Sequence, residues 1–290
     1  MSKKIALVLS GGGARGIAHI GAIEEIEKHG YVIASIAGTS MGSLVGAVYA
    51  LGKMEEFKEW LLELDRLKVF TLVDFTFSSQ GLVKGDKVLN RLKKFIPDKD
   101  IEDLSVPYAA VSVDLMKKEK VIFTSGSIYE AIRASISIPS VITPVNKDNH
   151  ILVDGGVLNN IPVNHVKRHK NDQLLVVNVN ANIPKMKLPG TKKEIDEKQN
   201  VYLEKINAFK DQLRKILPEK NEPKLGYFDL INKTITTMTY QIDQLTLEKH
   251  PPDILINISR ETCGTFDFYK AEELIEFGRL SAKKCLDDQQ

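Results

Sequence analysis

The sequence predicts an α/β protein: a three-layer α/β/α sandwich with a mostly parallel central sheet. Over the first half of the chain, short apolar runs alternate with amphipathic helical patterns, which is typical of parallel strands linked by helical crossovers. Glycine-rich turns follow the first two apolar runs. The 290 residues are 43% hydrophobic, which is enough for a large core.

The first two units each consist of a strand, a glycine turn and a helix. Residues 5–9 predict a strand, and residues 16–29 predict a helix that ends at Gly30. Residues 32–37 and 43–51 predict the second strand and the second helix. Both glycine turns therefore lie at the same edge of the predicted sheet.

The middle of the chain continues this pattern less regularly. We expect one helix over residues 54–67, because Phe57, Trp60, Leu61 and Leu64 fall on one helical face. The stretch 70–82 shows no clear period. The further expected elements are a helix over 85–95, a strand over 106–115 that forms a hairpin with 121–123, a helix over 128–135 and a strand over 151–153.

The last part of the chain is expected to complete a single domain, residues 1–290, with a helical excursion at about residues 183–250. Strands are predicted over residues 173–179 and 253–258, and a final helix over residues 269–286. Two apolar stripes at helical spacing predict amphipathic helices within the excursion. They are Tyr202, Ile206, Phe209, Leu213 and Ile216, followed by Ile231, Ile235, Met238, Ile242 and Leu245.

The second glycine turn, Gly38-Thr39-Ser40-Met41-Gly42, matches the pattern Gly-x-Ser-x-Gly. Between a strand and a helix this pattern is typical of a nucleophile elbow, in which the glycines allow a sharp turn that exposes the serine hydroxyl. A role as helix N-cap would also explain Ser40. The strand–turn–helix context favours the nucleophile.

The first glycine turn, Gly11-Gly12-Gly13-Ala14-Arg15-Gly16, also follows a strand. Such a run directs backbone N–H groups at an anion. Its spacing matches a dinucleotide fingerprint as well, but that fingerprint needs an acidic residue at the end of the second strand. The elbow with Ser40 occupies that position instead. The two turns together therefore favour an oxyanion site and acyl transfer.

A third glycine motif, Asp154-Gly155-Gly156, follows a predicted strand. Asp-Gly-Gly is also a favoured turn sequence, so the motif alone leaves a structural role open. His165, His169 and His250 come later in the chain, and their order permits a Ser-His-Asp triad. A solvated helix face or a loop explains these histidines better.

These motifs, in this order, resemble the patatin-like phospholipases of bacteria. The resemblance also includes Ala134-Ser135-Ile136-Ser137-Ile138-Pro139, Asn160-x-Pro162 and the strand that follows Pro251-Pro252. It extends over nearly the whole chain and is weakest over residues 183–224. It implies a patatin-like α/β sandwich that hydrolyses carboxylic esters of phospholipids or lysophospholipids.

The resemblance also implies roles for individual residues. Ser40 attacks the ester carbonyl and Asp154 accepts its proton directly, with no histidine between them; burial is expected to raise the pKa of Asp154. The oxyanion site comprises Gly11, Gly12, Gly13, Arg15 and Met41, where Arg15 holds the loop or attracts an anionic substrate. Backbone N–H groups stabilise the charge, so neither a cofactor nor a metal is implied. The supporting glycines are Gly16, Gly38, Gly42, Gly155 and Gly156.

Two other classes of function stay open at this stage. An acyltransferase or thioesterase would form the same acyl-serine and use a different acyl donor or acceptor. A non-catalytic regulatory or scaffold protein would keep the fold alone, although the presence of both Ser40 and Asp154 argues against it.

Composition bears on the partners and the cellular compartment of the protein. A net charge of +2 argues against a nucleic-acid partner. The two cysteines, Cys263 and Cys285, fit a reducing cytoplasm better than a disulfide framework or a zinc cluster. No apolar run approaches the length of a membrane span. We expect a cytoplasmic protein, with peripheral membrane association and a homodimer left open.

Residues 183–224 carry eleven Lys or Arg and seven Asp or Glu. A basic excess beside an apolar stripe favours contact with an anionic lipid surface, whereas packing on the domain would also explain the stripe. We predict that this segment governs the access of lipid to Ser40 and is not required for the chemistry.

Overall fold

The computed structural model describes residues 3–72, 75–78, 81–83, 85–188 and 227–289. The chain divides into two compact units. One comprises Met1–Lys185 with Thr234–Gln290 and contains the central sheet; the other is Met186–Lys233, most of which lies outside the described residues. A single domain over residues 1–290 therefore stays a prediction.

The described strands form a large mixed sheet and a small one. In chain order they are β1 Lys3–Leu9, β2 Tyr31–Thr39, β3 Phe75–Ser78, β4 Gly81–Val83, β5 Tyr108–Asp114, β6 Glu119–Phe123, β7 Ser140–Ile142, β8 Val145–Lys147, β9 His150–Asp154, β10 Gln173–Ala181 and β11 Ile254–Ser259. The central sheet has the order β11-β10-β1-β2-β5-β9-β8, and β6 also pairs with β5.

The first five strands of that order, β11 to β5, are parallel. Strands β6 and β9 run antiparallel to β5, and β8 runs antiparallel to β9. The small sheet has the order β3-β4-β7. Strand β3 lies within the stretch 70–82 that shows no period in the sequence, and β4 begins at its end. The predicted α/β fold with a mostly parallel sheet is confirmed.

Helices cover both faces of this sheet. The helices of the described residues are, in chain order, α1 Ala18–Lys28, α2 Met41–Ala50, α3 Met54–Leu62, α4 Arg66–Leu72, α5 Asp86–Leu92, α6 Ile128–Ser135, α7 Tyr227–Lys249 and α8 Ala271–Asp287. Helix α2 packs on the face that carries Leu9 and Ile36. On the opposite face Ala6, Val8 and Ala37 belong to a buried cluster against which Leu247 of α7 packs. The alternation of side chains along β1 therefore supplies both interlayer cores.

The prediction of one helix over residues 54–67 is wrong. Helix α3 ends at Leu62 and α4 begins at Arg66. Between them, the Asp65 carboxylate accepts the backbone N–H of Lys68 at 2.7 Å. A side chain that caps a new helix in this way ends the continuity that the apolar spacing predicts.

Helix α7 forms where the second apolar stripe predicts it, but two residues of the stripe do not face the core. Met238 is 58% exposed and Leu245 is 63% exposed, whereas Asp243 is 3% exposed. The orientation of α7 is therefore set by a polar contact of Asp243, which is described below, as well as by apolar burial.

The first apolar stripe, Tyr202 to Ile216, lies outside the described residues, as does most of the segment 183–224. The access role of that segment stays a prediction. No helix in the described ranges combines the length and the hydropathy that a membrane crossing requires.

Candidate active site

Ser40 lies at a sharp turn between β2 and α2. Its backbone has φ 54° and ψ −125°, a conformation that costs a non-glycine residue about 1–3 kcal/mol and is common at functional sites. The flanking glycines permit a close approach: a Cβ on Gly38 would lie 2.3 Å from Gly42 O, and one on Gly42 would lie 2.3 Å from Leu9 O. The chain thus has the geometry of a nucleophile elbow.

The backbone of the elbow is held by a serine to which the sequence assigns no role. Ser40 N donates to Ser135 Oγ at 2.9 Å, and Ser135 Oγ in turn donates to Val111 O at 2.6 Å. Thr39 Oγ1 donates to Asn159 O at 2.8 Å. These buried hydrogen bonds tie the turn to β5 and to the segment after Asp154, so that the strained conformation is kept without substrate.

Asp154 ends β9 and is 5% exposed. Its Oδ1 accepts the N–H of Gly156 at 2.7 Å, while Oδ2 is buried and has no hydrogen-bond partner among the described residues. Burial raises the pKa of Asp154 to about 6, and interactions with the Ser40 side chain and the Gly156 N–H oppose this rise. The expected rise in the pKa of Asp154 is confirmed. Its Oδ2 is available to accept a proton.

The turn after Asp154 packs directly on the elbow. A Cβ on Gly155 would lie 2.4 Å from Val111 O and 3.0 Å from Thr39 Cγ2. Ser40 is close enough to lower the pKa of Asp154, although no full hydrogen bond to Oδ2 is formed. Contacts of this kind often shorten only when substrate binds. The structure thus brings Ser40 and Asp154 together from distant parts of the sequence.

The glycine loop presents fewer free N–H groups than the sequence predicts. Gly11 N donates to Asn160 O at 3.1 Å, so it is not available to an oxyanion. Among the described residues, the Gly12 and Gly13 N–H groups have no acceptor. Met41 opens α2, where the N–H groups of the first turn lack intrahelical partners. Of the predicted oxyanion donors, Gly12, Gly13 and Met41 therefore keep free N–H groups among the described residues, and the oxyanion site itself stays a prediction.

Arg15 braces the glycine loop. Its Nε and Nη2 donate to Asn180 Oδ1 at 3.1 and 3.0 Å, and Asn180 Nδ2 donates to Gly11 O at 2.6 Å. Of the two roles that the sequence allows for Arg15, these contacts favour holding the loop. Gly16 lies against Met41, where an added Cβ would come within 2.4 Å of Cγ.

The histidines considered for a triad do not hydrogen-bond to Asp154. All six histidines of the chain lie in described residues, and none of them hydrogen-bonds to Asp154. His169 is exposed, and His165 is half-buried with its pKa lowered by burial and by Lys120. A Ser-His-Asp arrangement therefore has no support in the described contacts.

Two other histidines have structural partners. His19 is fully buried, and burial lowers its pKa to about 4. It is neutral at physiological pH, with Nε2 donating to Ser10 O at 2.8 Å. His150 Nδ1 lies 2.5 Å from Oδ2 of Asp114, which gives this buried aspartate the partner that is not evident in the sequence.

Asn160, which lies beside Gly11 and Gly156, forms a buried hydrogen bond with Asp243. Asn160 Nδ2 donates to Asp243 Oδ2 at 2.8 Å, and both side chains are buried. Asn160 belongs to the Asn-x-Pro motif of the family resemblance, but that motif does not reveal its partner. The sequence around Asp243 does not indicate this contact, because Asp243 lies within the helical pattern of α7.

Comparison with solved structures defines the class of fold. VipD from Legionella pneumophila aligns with 99% of this chain and 67% of its own chain, with a TM-score of 0.51 and 14% identity. At this identity the likeness concerns the fold alone. The chain belongs to the patatin-like phospholipase family, whose model matches residues 7–167.

Relatives extend the match beyond that range. An uncharacterized NTE family protein of Mycobacterium tuberculosis is 31% identical over 99% of this chain and 92% of its own length. The mouse patatin-like phospholipase domain-containing protein 6 is 34% identical over 54% of this chain, which corresponds to 12% of that larger protein. Family membership and site together support a lipid hydrolase.

Proposed function

We propose that this protein hydrolyses carboxylic esters of phospholipids or lysophospholipids through a Ser40–Asp154 dyad. The observation that carries the proposal is the pairing of a strained, glycine-flanked Ser40 with a buried Asp154, whose Oδ2 has no hydrogen-bond partner among the described residues. Free N–H groups of the glycine loop lie in the same part of the fold. The family and its NTE relatives support a lipid substrate.

The first half of the reaction forms an acyl-serine. Ser40 Oγ attacks the ester carbonyl while Asp154 Oδ2 takes the hydroxyl proton. The Gly12, Gly13 and Met41 N–H groups donate to the tetrahedral oxyanion, which carries more charge than the substrate carbonyl and is therefore bound more strongly. When the intermediate collapses, Asp154 returns the proton to the departing alcohol, and the acyl group stays on Ser40.

The second half releases the fatty acid. A water molecule attacks the acyl-serine carbonyl and gives its proton to Asp154, and the same N–H groups stabilise the second oxyanion. Collapse of that intermediate returns the proton to Ser40 Oγ. A carboxyl group with a pKa of about 6 suits both directions of transfer, because it is ionised at neutral pH yet more basic than an exposed aspartate.

A panel of substrates tests the proposal. Purified protein is assayed on p-nitrophenyl esters of graded chain length, on a phospholipid and on a lysophospholipid, with Ser40→Ala as the control. We expect Ser40-dependent release of fatty acid from the lipids. A protein without turnover on any of these esters, and without covalent labelling of Ser40 by a fluorophosphonate, would rule the proposal out.

The same panel addresses acyl transfer. An acyltransferase would pass the acyl group to an added alcohol or thiol in preference to water, whereas a thioesterase would prefer a thioester donor. Product analysis with and without acceptor separates these activities from hydrolysis. We expect free fatty acid as the main product in both conditions.

Turnover of a soluble ester should depend on the ionisation of Asp154. Its pKa is raised to about 6, and only the ionised form accepts a proton. We therefore expect kcat/KM to fall about tenfold per pH unit below pH 6 and to reach a plateau above it. The measurement is a pH–rate profile between pH 4.5 and 8.5 on a non-ionising substrate. An inflection near pH 4 would mean that burial does not raise the pKa of Asp154.

Chelation should not affect the reaction on a soluble ester. The proposed mechanism stabilises negative charge with backbone N–H groups and assigns no step to a metal ion. We expect the rate on a monomeric p-nitrophenyl ester to be unchanged by EDTA. A rate that EDTA lowers and added calcium restores would require a different account of charge stabilisation.

A further inference from the structure

Helix α7 contacts the segment that carries the base at two points. Thr239 Oγ1 donates to Gly156 O at 3.0 Å, and Asp243 Oδ2 accepts from Asn160 Nδ2 at 2.8 Å. Thr239 and Asp243 are four residues apart and therefore lie one turn apart on the same helical face. This face of α7 is thus bonded to both ends of the turn after Asp154.

Asn160 joins that turn to the glycine loop. Its backbone carbonyl accepts the N–H of Gly11 at 3.1 Å. Its Oδ1 lies so close to the loop that a Cβ on Gly11 would come within 2.4 Å, and a Cβ on Gly156 would lie 3.3 Å away. The buried Asn160 amide therefore contacts the glycine loop, the turn after Asp154 and Asp243.

The burial of Asp243 is not explained by helix packing alone. On the same helix Met238 and Leu245 are more than half exposed, while this carboxyl is almost fully buried. A helix that served only to cover the sheet would bury the apolar residues and expose the aspartate. Asp243 Oδ2 has one partner, Asn160, and Oδ1 has none among the described residues.

We propose that Asp243 is a positioning residue for the ester hydrolysis proposed above: its carboxyl group orients the Asn160 amide, and Asn160 sets the distance between the glycine loop and Asp154. The inference rests on that proposed function. Asp243 does not touch the reacting atoms in this mechanism. It acts through Asn160, whose backbone carbonyl and side chain contact the glycine loop and the turn after Asp154. The mechanism requires these two segments to keep their relative positions.

The expected effect follows from the geometry of oxyanion stabilisation. The Gly12 and Gly13 N–H groups must reach the oxyanion while Asp154 reaches the Ser40 proton, and small displacements weaken such contacts strongly. Without Asp243, the Asn160 amide loses its hydrogen-bond acceptor and can rotate away from Gly11. Transition-state stabilisation then falls, whereas binding of the acyl chain is little changed.

The test compares Asp243→Ala, Asp243→Asn and the exposed neighbour Gln244→Ala on a soluble p-nitrophenyl ester. For Asp243→Ala we expect kcat to fall about 10- to 100-fold with KM within about twofold. Asp243→Asn keeps an acceptor for Asn160 and should restore most of kcat. Gln244→Ala should match the wild type. Thermal melting is measured for all variants, so that a loss of folding is separated from a loss of alignment.

A double-mutant cycle distinguishes positioning from general packing. If Asp243 acts through Asn160, the double variant Asp243→Ala/Asn160→Ala should be no slower than Asn160→Ala alone. Unchanged kcat in Asp243→Ala would overturn the positioning role and leave the hydrolase proposal standing. Additive losses, or an Asp243→Asn variant as slow and as unstable as Asp243→Ala, would also overturn it. A wild type without Ser40-dependent turnover would overturn both proposals.

Discussion

Replacing Ser40 with alanine is expected to abolish ester hydrolysis and to leave the fold intact. The hydroxyl is the nucleophile of the proposed mechanism, and loss of the nucleophile in serine hydrolases lowers kcat by up to about 10⁶-fold. The backbone N–H of Ser40 donates to Ser135 Oγ, and alanine retains this hydrogen bond, which holds the strained φ of 54°. The measurement is turnover of a soluble ester together with the melting temperature.

The control for this experiment is Ser125→Ala, which removes an exposed serine and should match the wild type in rate. Retained turnover in a purified and folded Ser40→Ala protein would contradict the assignment of the nucleophile. A folded but inactive variant would instead agree with the role of the elbow, and fluorophosphonate labelling should then be lost in the same variant.

Asp154→Asn should be nearly as damaging as the loss of Ser40. The amide cannot accept the serine proton, and no described histidine bonds to this position to take over that step. We expect kcat to fall by about 10⁴-fold, as for the loss of a catalytic partner in serine hydrolases. His165→Ala, His169→Ala and His250→Ala are the matched controls and should each keep most of the activity. A histidine variant as slow as Ser40→Ala would establish a triad instead.

The stability of Asp154→Asn provides an independent check of the burial of this carboxyl. The pKa of Asp154 is raised in the folded state, so the contribution of this group to stability is fully present at acid pH and is lost as the pH rises through about 6. At pH 8 the amide removes a buried charge. The melting temperature of Asp154→Asn at pH 8 should therefore equal or exceed that of the wild type.

Local patterns were sufficient to predict the elements that carry the chemistry. The alternation of apolar runs and helical stripes predicted strands β1, β2 and β5 and helix α2, because each of these elements has the period of its own secondary structure. The glycines beside Ser40 predicted the elbow, since only residues without a Cβ fit where Gly38 meets Gly42. The break between α3 and α4 was missed, because a single capping side chain, Asp65, decided it.

The fold class, the elbow and the order of the three glycine motifs follow from the amino-acid sequence, since they depend on spacing and on residue type within one strand–turn–helix unit. Which side chains and backbone groups contact one another in the site depends on how the strands and helices pack. The Gly11 N–H donates to Asn160 O, the Ser40 N–H donates to Ser135 Oγ, and the buried Asp243 of α7 accepts from Asn160 Nδ2. Each of these contacts joins residues more than 80 positions apart, and hydrogen bonds over such separations leave no periodic trace in the chain because they form only when the layers pack.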